Sequence, residues 1–187
     1  MSLQPLSINI NQAPRIAHPM LMGNLEGIDQ AMALLKRLND EQYTHVASPY
    51  VQSSIGSHLR HINDMYFSLM AHTQRQGFID YDDRRRGAPV ETCRETALQE
   101  LNLIRTWLVH LKESDLSLAV TIQSETSIYQ QHVCQMHSTL QRELLFVSSH
   151  TTHHFSVIRV AAVACQVETD GIFSYAPATA SYLRSLG

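Results

Sequence analysis

Hydrophobic positions recur at helical intervals in four long stretches of the chain. In residues 23–40, GNLEGIDQAMALLKRLND, the side chains of Ile28, Met32, Leu35 and Leu38 fall at steps of three and four, which predicts a first helix. A second is predicted from Ser53 to about Gln76, where Ile55, Leu59, Ile62, Tyr66 and Leu69 form one apolar stripe and Gly77 supplies a stop. The third, from about Thr92 to Lys112, presents Ala97, Leu101, Ile104 and Leu108 on one face and leaves Glu95, Glu100 and Arg105 for solvent. The fourth opens with Ser138 as its cap, Gln141 completing a capping box, and runs through Leu140, Leu144, Val147, Thr151, Phe155, Ile158 and Ala162 to about Val167.

Between the third and fourth stretches the period changes. Partial alternation and β-branched residues in LSLAVTIQSETSIYQQHVCQM predict two short strands that turn near Glu125 to Ser127. The irregular start carries Pro14 and Pro19, Pro49 closes the connection after the first helix, and DYDDRRRGAPVE reads as a polar loop. The tail, with Gly171 and Pro177, is expected to form an irregular lid ending in a short turn. The fold class that follows is all-α: an antiparallel four-helix bundle with a short β-hairpin between helices three and four, as one domain over residues 1–187.

Composition narrows the function classes. A net charge of −3 with both signs interspersed does not supply the positive surface a nucleic-acid binder needs. No stretch approaches a membrane span, and the amino terminus lacks a basic segment followed by an apolar run, so a cytoplasmic protein is expected. Cys93, Cys134 and Cys165 are odd in number and widely spaced, which suits free thiols in a reducing compartment, with Cys165 packed. A chain of 187 residues can bury a sizeable core without a structural metal.

The chemistry concentrates in histidines: His58 and His61 on the second helix, and His150, His153 and His154 on the fourth. His150 and His154, four apart, share one helical face about 5.4 Å from each other along the axis. At about 100° per residue that pair lies at the apolar stripe, whereas His153 points away. Two imidazoles from one helix and a third from a facing helix make a metal site with open coordination positions. On the second helix the stripe lies nearer to His58 than to His61, so periodicity alone selects His58 as the third member.

Three other polar groups bear on the site. Glu143, seven residues before His150, is either a substrate contact or a first-turn carboxylate favoured by the helix dipole. Asp64, one turn past His61, is either an orienting partner for an imidazole or a surface residue. Arg84, Arg85 and Arg86, with Glu91 and Arg94 nearby, form either a structural and solvated loop or an anion-binding one.

The segments SSIGSHLRHINDMYF, FIDYDDRRRGAPVETCRE, RELLFVSSHTTHHFSVIR and GIFSYAPATASYL, in this order from about Gly23 to Leu183, resemble the DinB/YfiT-like metalloenzyme superfamily, the damage-inducible four-helix-bundle family. The resemblance implies a metal histidine seven residues after a Ser or Thr on helix two, which from Ser54 gives His61, and a His-x-x-x-His pair on the last helix, which gives His150 and His154. It thus favours His61 where the stripe favours His58. Three imidazoles suit a divalent ion, zinc first, with nickel or iron as alternatives. The resemblance further implies a metal-dependent enzyme acting on a small-molecule substrate, with transfer of a low-molecular-weight thiol to an electrophile as the leading reaction and hydrolysis as the alternative. A stress-associated metal-binding protein without activity is the rival reading. Homodimerisation through a bundle face is also implied.

Overall fold

The computed structural model describes residues 18–75 and 77–186. The irregular start through Pro14 and the expected helix end at Gln76 lie outside the described residues. Among the described residues the chain is mostly helical, with six α-helices and one small three-stranded sheet: α1 Pro19–Leu35, α2 Asp40–Thr44, α3 Ile55–Arg75, β1 Phe78–Asp80, α4 Arg94–His110, β2 Ala119–Glu125, β3 Val133–Thr139, α5 Leu140–Ala164 and α6 Pro177–Ser185.

Four of these helices are long, and their apolar stripes meet. α1 packs against α4 and α5, and α3 packs against the same two from the other side. Ile55, Leu59, Ile62, Tyr66 and Leu69 on α3 are all buried, as are Ala97, Leu101, Ile104 and Leu108 on α4. Burial of aliphatic side chains at about 25 cal/mol per Å² is the main force holding such faces together. One polar pair sits inside: Tyr66 donates to Asn24 Oδ1 at 2.8 Å, and Asn24 Nδ2 donates to Met20 O at 2.8 Å, so both buried groups are satisfied.

Several element ends differ from the sequence reading. α1 starts at Pro19, which stands at the first helical position where its missing N–H costs nothing, and the His18 side chain caps the turn by accepting from Met20 N. The helix stops at Leu35, and Leu38 reaches the core from the connection to α2, a five-residue helix opened by an Asn39/Gln42 capping box. α3 begins at Ile55, with Ser54 Oγ accepting from Ser57 N, and Gly77 follows its end with φ +149°, open to glycine alone at little cost. The cap of α5 is Thr139, whose hydroxyl accepts from Arg142 N, whereas Ser138 belongs to the preceding strand and donates to Glu143. The tail ends in α6, a nine-residue helix with no buried residue rather than a single turn.

The hairpin is present, with a wider connection than the sequence suggested: residues 126–132 link β2 to β3, closed by Thr126 N donating to His132 O. β2 and β3 pair antiparallel, Ile122 opposite Met136. A third strand that the sequence reading did not include, β1, stands just before the polar loop, sharing only Asp80 with it, and pairs parallel with β2, Ile79 opposite Ile122. Ile79, Val120 and Ile122 are buried while β3 is largely exposed, so only one edge of the sheet is sealed against the helices. No described helix is long and apolar enough to cross a membrane.

Candidate metal centre

α3 and α5 lie side by side, and their facing histidines meet. His61 Nε2 is 2.9 Å from His150 Nε2, and His154 Nε2 is 3.0 Å from the same atom. One ring nitrogen from each of His61, His150 and His154 lies within 4.8 Å of the others. The rings do not stack. Their planes are inclined at 64° to 78° to one another with centroids 4.6 to 5.1 Å apart, so the rings point edges, not faces, at a common region. A tetrahedral zinc with Zn–N bonds near 2.0–2.1 Å would hold its nitrogens about 3.3 Å apart. The observed separations are a few tenths of an ångström shorter, within reach of small side-chain rotations.

The donor set fits a divalent cation on chemical grounds. His150 Nε2 faces two other ring nitrogens at hydrogen-bond distance, yet a neutral nitrogen carries either one proton or one lone pair. An electrophile shared by all three nitrogens resolves that conflict. Burial pulls the His61 imidazole down to about 4, with Arg84, His150 and Arg60 adding to the effect, and pulls His154 down to about 3, with the other histidines adding. His150 is lowered as well, by burial first and then by His153 and Arg84. Near pH 7 these rings are therefore neutral, the form in which imidazole is a ligand.

The structure places the remaining sequence candidates as follows. His153 is exposed and is not one of the three converging residues, but it does not point clear of them as the helical spacing suggested: its ring centroid lies 5.3 Å from that of His154 and 5.9 Å from that of His150. His58, the residue the stripe selected, does not join the three. Its Nδ1 lies 3.0 Å from His154 Nδ1, on the other edge of that ring. Asp64 is neither a surface residue nor an imidazole partner: it is buried and accepts from Arg60 Nη1 and Arg85 Nε, both at 2.6 Å, and from Arg85 N at 3.1 Å. Arg60 Nε also lies 2.6 Å from Glu91 Oε1, but its N–H is not aimed at the oxygen, so that contact is an ion pair without a linear hydrogen bond.

Arg85 continues the network with a two-pronged contact to Glu100, at 2.7 and 2.9 Å, and stacks over Phe67 at 4.8 Å. Glu100, read from sequence as solvent-facing, is thus a half-buried anchor, and Asn63 Nδ2 donates to it at 3.0 Å. Of the three arginines, Arg85 fixes the loop to α3 and α4. Arg84 is exposed, and among the described residues it has no carboxylate partner. Arg94 ties Asp40 and the Leu35 carbonyl to α4. The three cysteines are free; Cys93 and Cys134 are exposed and Cys165 is half-buried against the core.

Glu143 is in the first turn of α5, as the dipole reading expects, but it is also buried, accepting from Tyr81 at 2.7 Å and from Ser138 at 2.6 Å. Burial and the bond to Glu143 push the Tyr81 hydroxyl well above its ordinary range. These residues line a cleft of about 360 Å³ with Met136, Arg142 and Phe146. Phe146 connects it to the histidines, its ring centroid 5.3 Å from Tyr81 and 5.9 Å from His150. The sequence reading missed Phe146, although it stands four residues before His150 and therefore on the same helical face. A larger cavity of about 470 Å³, between α1 and the C-terminal segment, is lined by none of the histidines.

A family model described as the DinB superfamily matches residues 26–158, a span that contains His58, His61, His150 and His154. The chain belongs to the DinB superfamily. It is also similar to a curated protein of Rhizopus delemar named FK506-binding protein 5, with 24% identity over 106 residues, covering 57% of this chain and 28% of that protein. The chain thus spans little more than a quarter of the length of this relative. No solved structure matches the chain.

Proposed function

We propose that this chain is a metal-dependent enzyme of the DinB superfamily, with His61, His150 and His154 as ligands and a small thiol transferred to an electrophile as its reaction. The convergence of three Nε2 atoms from two helices carries the reading. A divalent ion bound there, zinc by preference and nickel or iron otherwise, supplies Lewis acidity toward a nucleophile near neutral pH. The four long helices are read as an antiparallel four-helix bundle, a fold whose core holds metals on facing helices.

The chain's own residues do the rest. Three neutral ligands leave positions open for substrate, and none of the described carboxylates joins them. Arg84, near enough to lower both His61 and His150, favours an anion at the site, such as a thiolate or a substrate carboxylate. The cleft bounded by Tyr81, Arg142 and Phe146 offers room for the electrophile next to His150.

The test is a panel of small thiols against small electrophiles, run on protein loaded with zinc, nickel or iron. Turnover that disappears on chelation and in His150→Ala supports the reading. Hydrolysis of ester or amide probes without thiol transfer would assign the alternative reaction. Saturable metal binding with no turnover on any probe would favour the non-catalytic metal-binding protein.

A further inference from the structure

His58 is the fourth histidine of the cluster, and its place differs in kind from that of the other three. His61, His150 and His154 approach one another through Nε2, while His58 meets His154 through Nδ1 on both rings, at 3.0 Å. The two ring planes are inclined at 47° with centroids 5.2 Å apart, so the contact is edge to edge and not a stack. An imidazole offers a lone pair at Nε2 only when its proton is on Nδ1. Whatever faces His154 Nδ1 therefore controls whether His154 can be a ligand.

We propose that His58 is a positioning residue for the metal centre: its Nδ1 accepts the Nδ1–H of His154 and holds that ring with Nε2 free for a divalent cation. The proposal rests on the three-histidine reading and adds the residue that orients one ligand. Metal-bound histidines commonly donate their second N–H to a carboxylate or carbonyl, and here a neutral imidazole fills that position. His58 then carries its own proton on Nε2, which is buried without a partner. The reverse arrangement is available to metal-free protein: His58 Nδ1–H donates to His154, and His154 Nε2–H donates to His150 Nε2 at 3.0 Å. That chain links His58, His154 and His150 but leaves His61 Nε2 facing a nitrogen whose lone pair is already taken, and it occupies His154 Nε2 with a proton, so cation binding selects the first arrangement. His58 accordingly acts on metal affinity without touching the ion.

Zinc affinity, measured by competition with a chromophoric chelator, separates the outcomes when wild-type protein is compared with His58→Leu, His58→Gln and His154→Ala. The expected result is one zinc per chain in His58→Leu with affinity lowered about 10–100-fold, and recovery in His58→Gln, whose side-chain oxygen can accept the same hydrogen bond. In zinc-loaded wild-type protein, nitrogen-15 spectra of the imidazoles should show His154 protonated at Nδ1 and His58 at Nε2, a readout that does not depend on any variant folding. Affinity of His58→Leu within twofold of wild type, or the opposite tautomers, would overturn the proposal. So would a loss in His58→Leu as complete as in His154→Ala, because His58 would then be a ligand. Wild-type protein that binds no zinc at all would instead overturn the three-histidine reading, and the positioning role with it.

Discussion

Replacing Asp64 by asparagine should be among the most damaging isosteric changes in this chain. The Asp64 side chain is 4% exposed and receives three hydrogen bonds, from Arg60 Nη1, Arg85 Nε and Arg85 N. Asparagine keeps the shape, but it loses the charge and turns an N–H₂ group toward a guanidinium. Arg60, 8% exposed, is then left with Glu91 alone, in a contact whose N–H is misaligned. Removing one partner of a buried ion pair costs roughly 3–5 kcal/mol. The Arg85 share is smaller because that side chain is 41% exposed and keeps its two bonds to Glu100. A loss of about 3 kcal/mol is expected, read by urea unfolding with chelator present so that bound metal does not contribute. Asp29→Asn, which breaks the exposed pair with Arg105, serves as the control and should cost less than about 1 kcal/mol. Equal and small losses in the two variants would refute the argument that burial makes the Asp64 network structural.

Gly56→Ala should destabilise by about 3 kcal/mol in the same assay, at the upper end for overpacking, because an added Cβ would run into the Glu91 carbonyl and stand 2.8 Å from Tyr43 Cε1, and backbone yields less than a side chain. Tyr81→Phe should cost roughly 1.5–3 kcal/mol, the range for a hydrogen bond to a charged group, by withdrawing a donor from the buried Glu143 carboxylate; an unchanged melting temperature would contradict that. The metal-free protein should lose stability on acidification. His61 and His154 have folded values of about 4 and 3, below the unfolded value near 6.5, so the unfolded state takes up protons first. Their contribution is complete above about pH 6.5 and is lost as pH falls from there through 4 and 3; unfolding midpoints that stay level from pH 7 to 4.5 would count against neutral buried imidazoles.

The helix cores were legible in the sequence because each stripe repeats long enough to outvote its exceptions. All five α3 stripe positions and all four on α4 are buried. The hairpin was legible from alternation, although its seven-residue connection was not. Elements set by a distant partner were invisible: β1 has three residues and exists because Ile79 finds Ile122 on β2, and α2, too short at five residues to show a period, is tied down through Gln42 to the Cys165 carbonyl and through Asp40 to Arg94. The same limit hid the Asp64 network, since Arg85 lies 21 residues away and no period links them.

At the site, helical spacing indicated that His150 and His154 share a face, and the structure sets them together with His61. The choice between His58 and His61 was beyond periodicity. Both lie near the buried side of α3, and the way α5 crosses it puts one against each edge of the His154 ring.

Whether His61, His150 and His154 hold a divalent ion is decided by elemental analysis of tag-free protein, beside a His150→Ala/His154→Ala variant whose fold is verified by circular dichroism. Close to one divalent metal per chain is expected in the wild-type protein, lost in the folded variant. No metal in either protein after reconstitution with zinc, nickel and iron would contradict it.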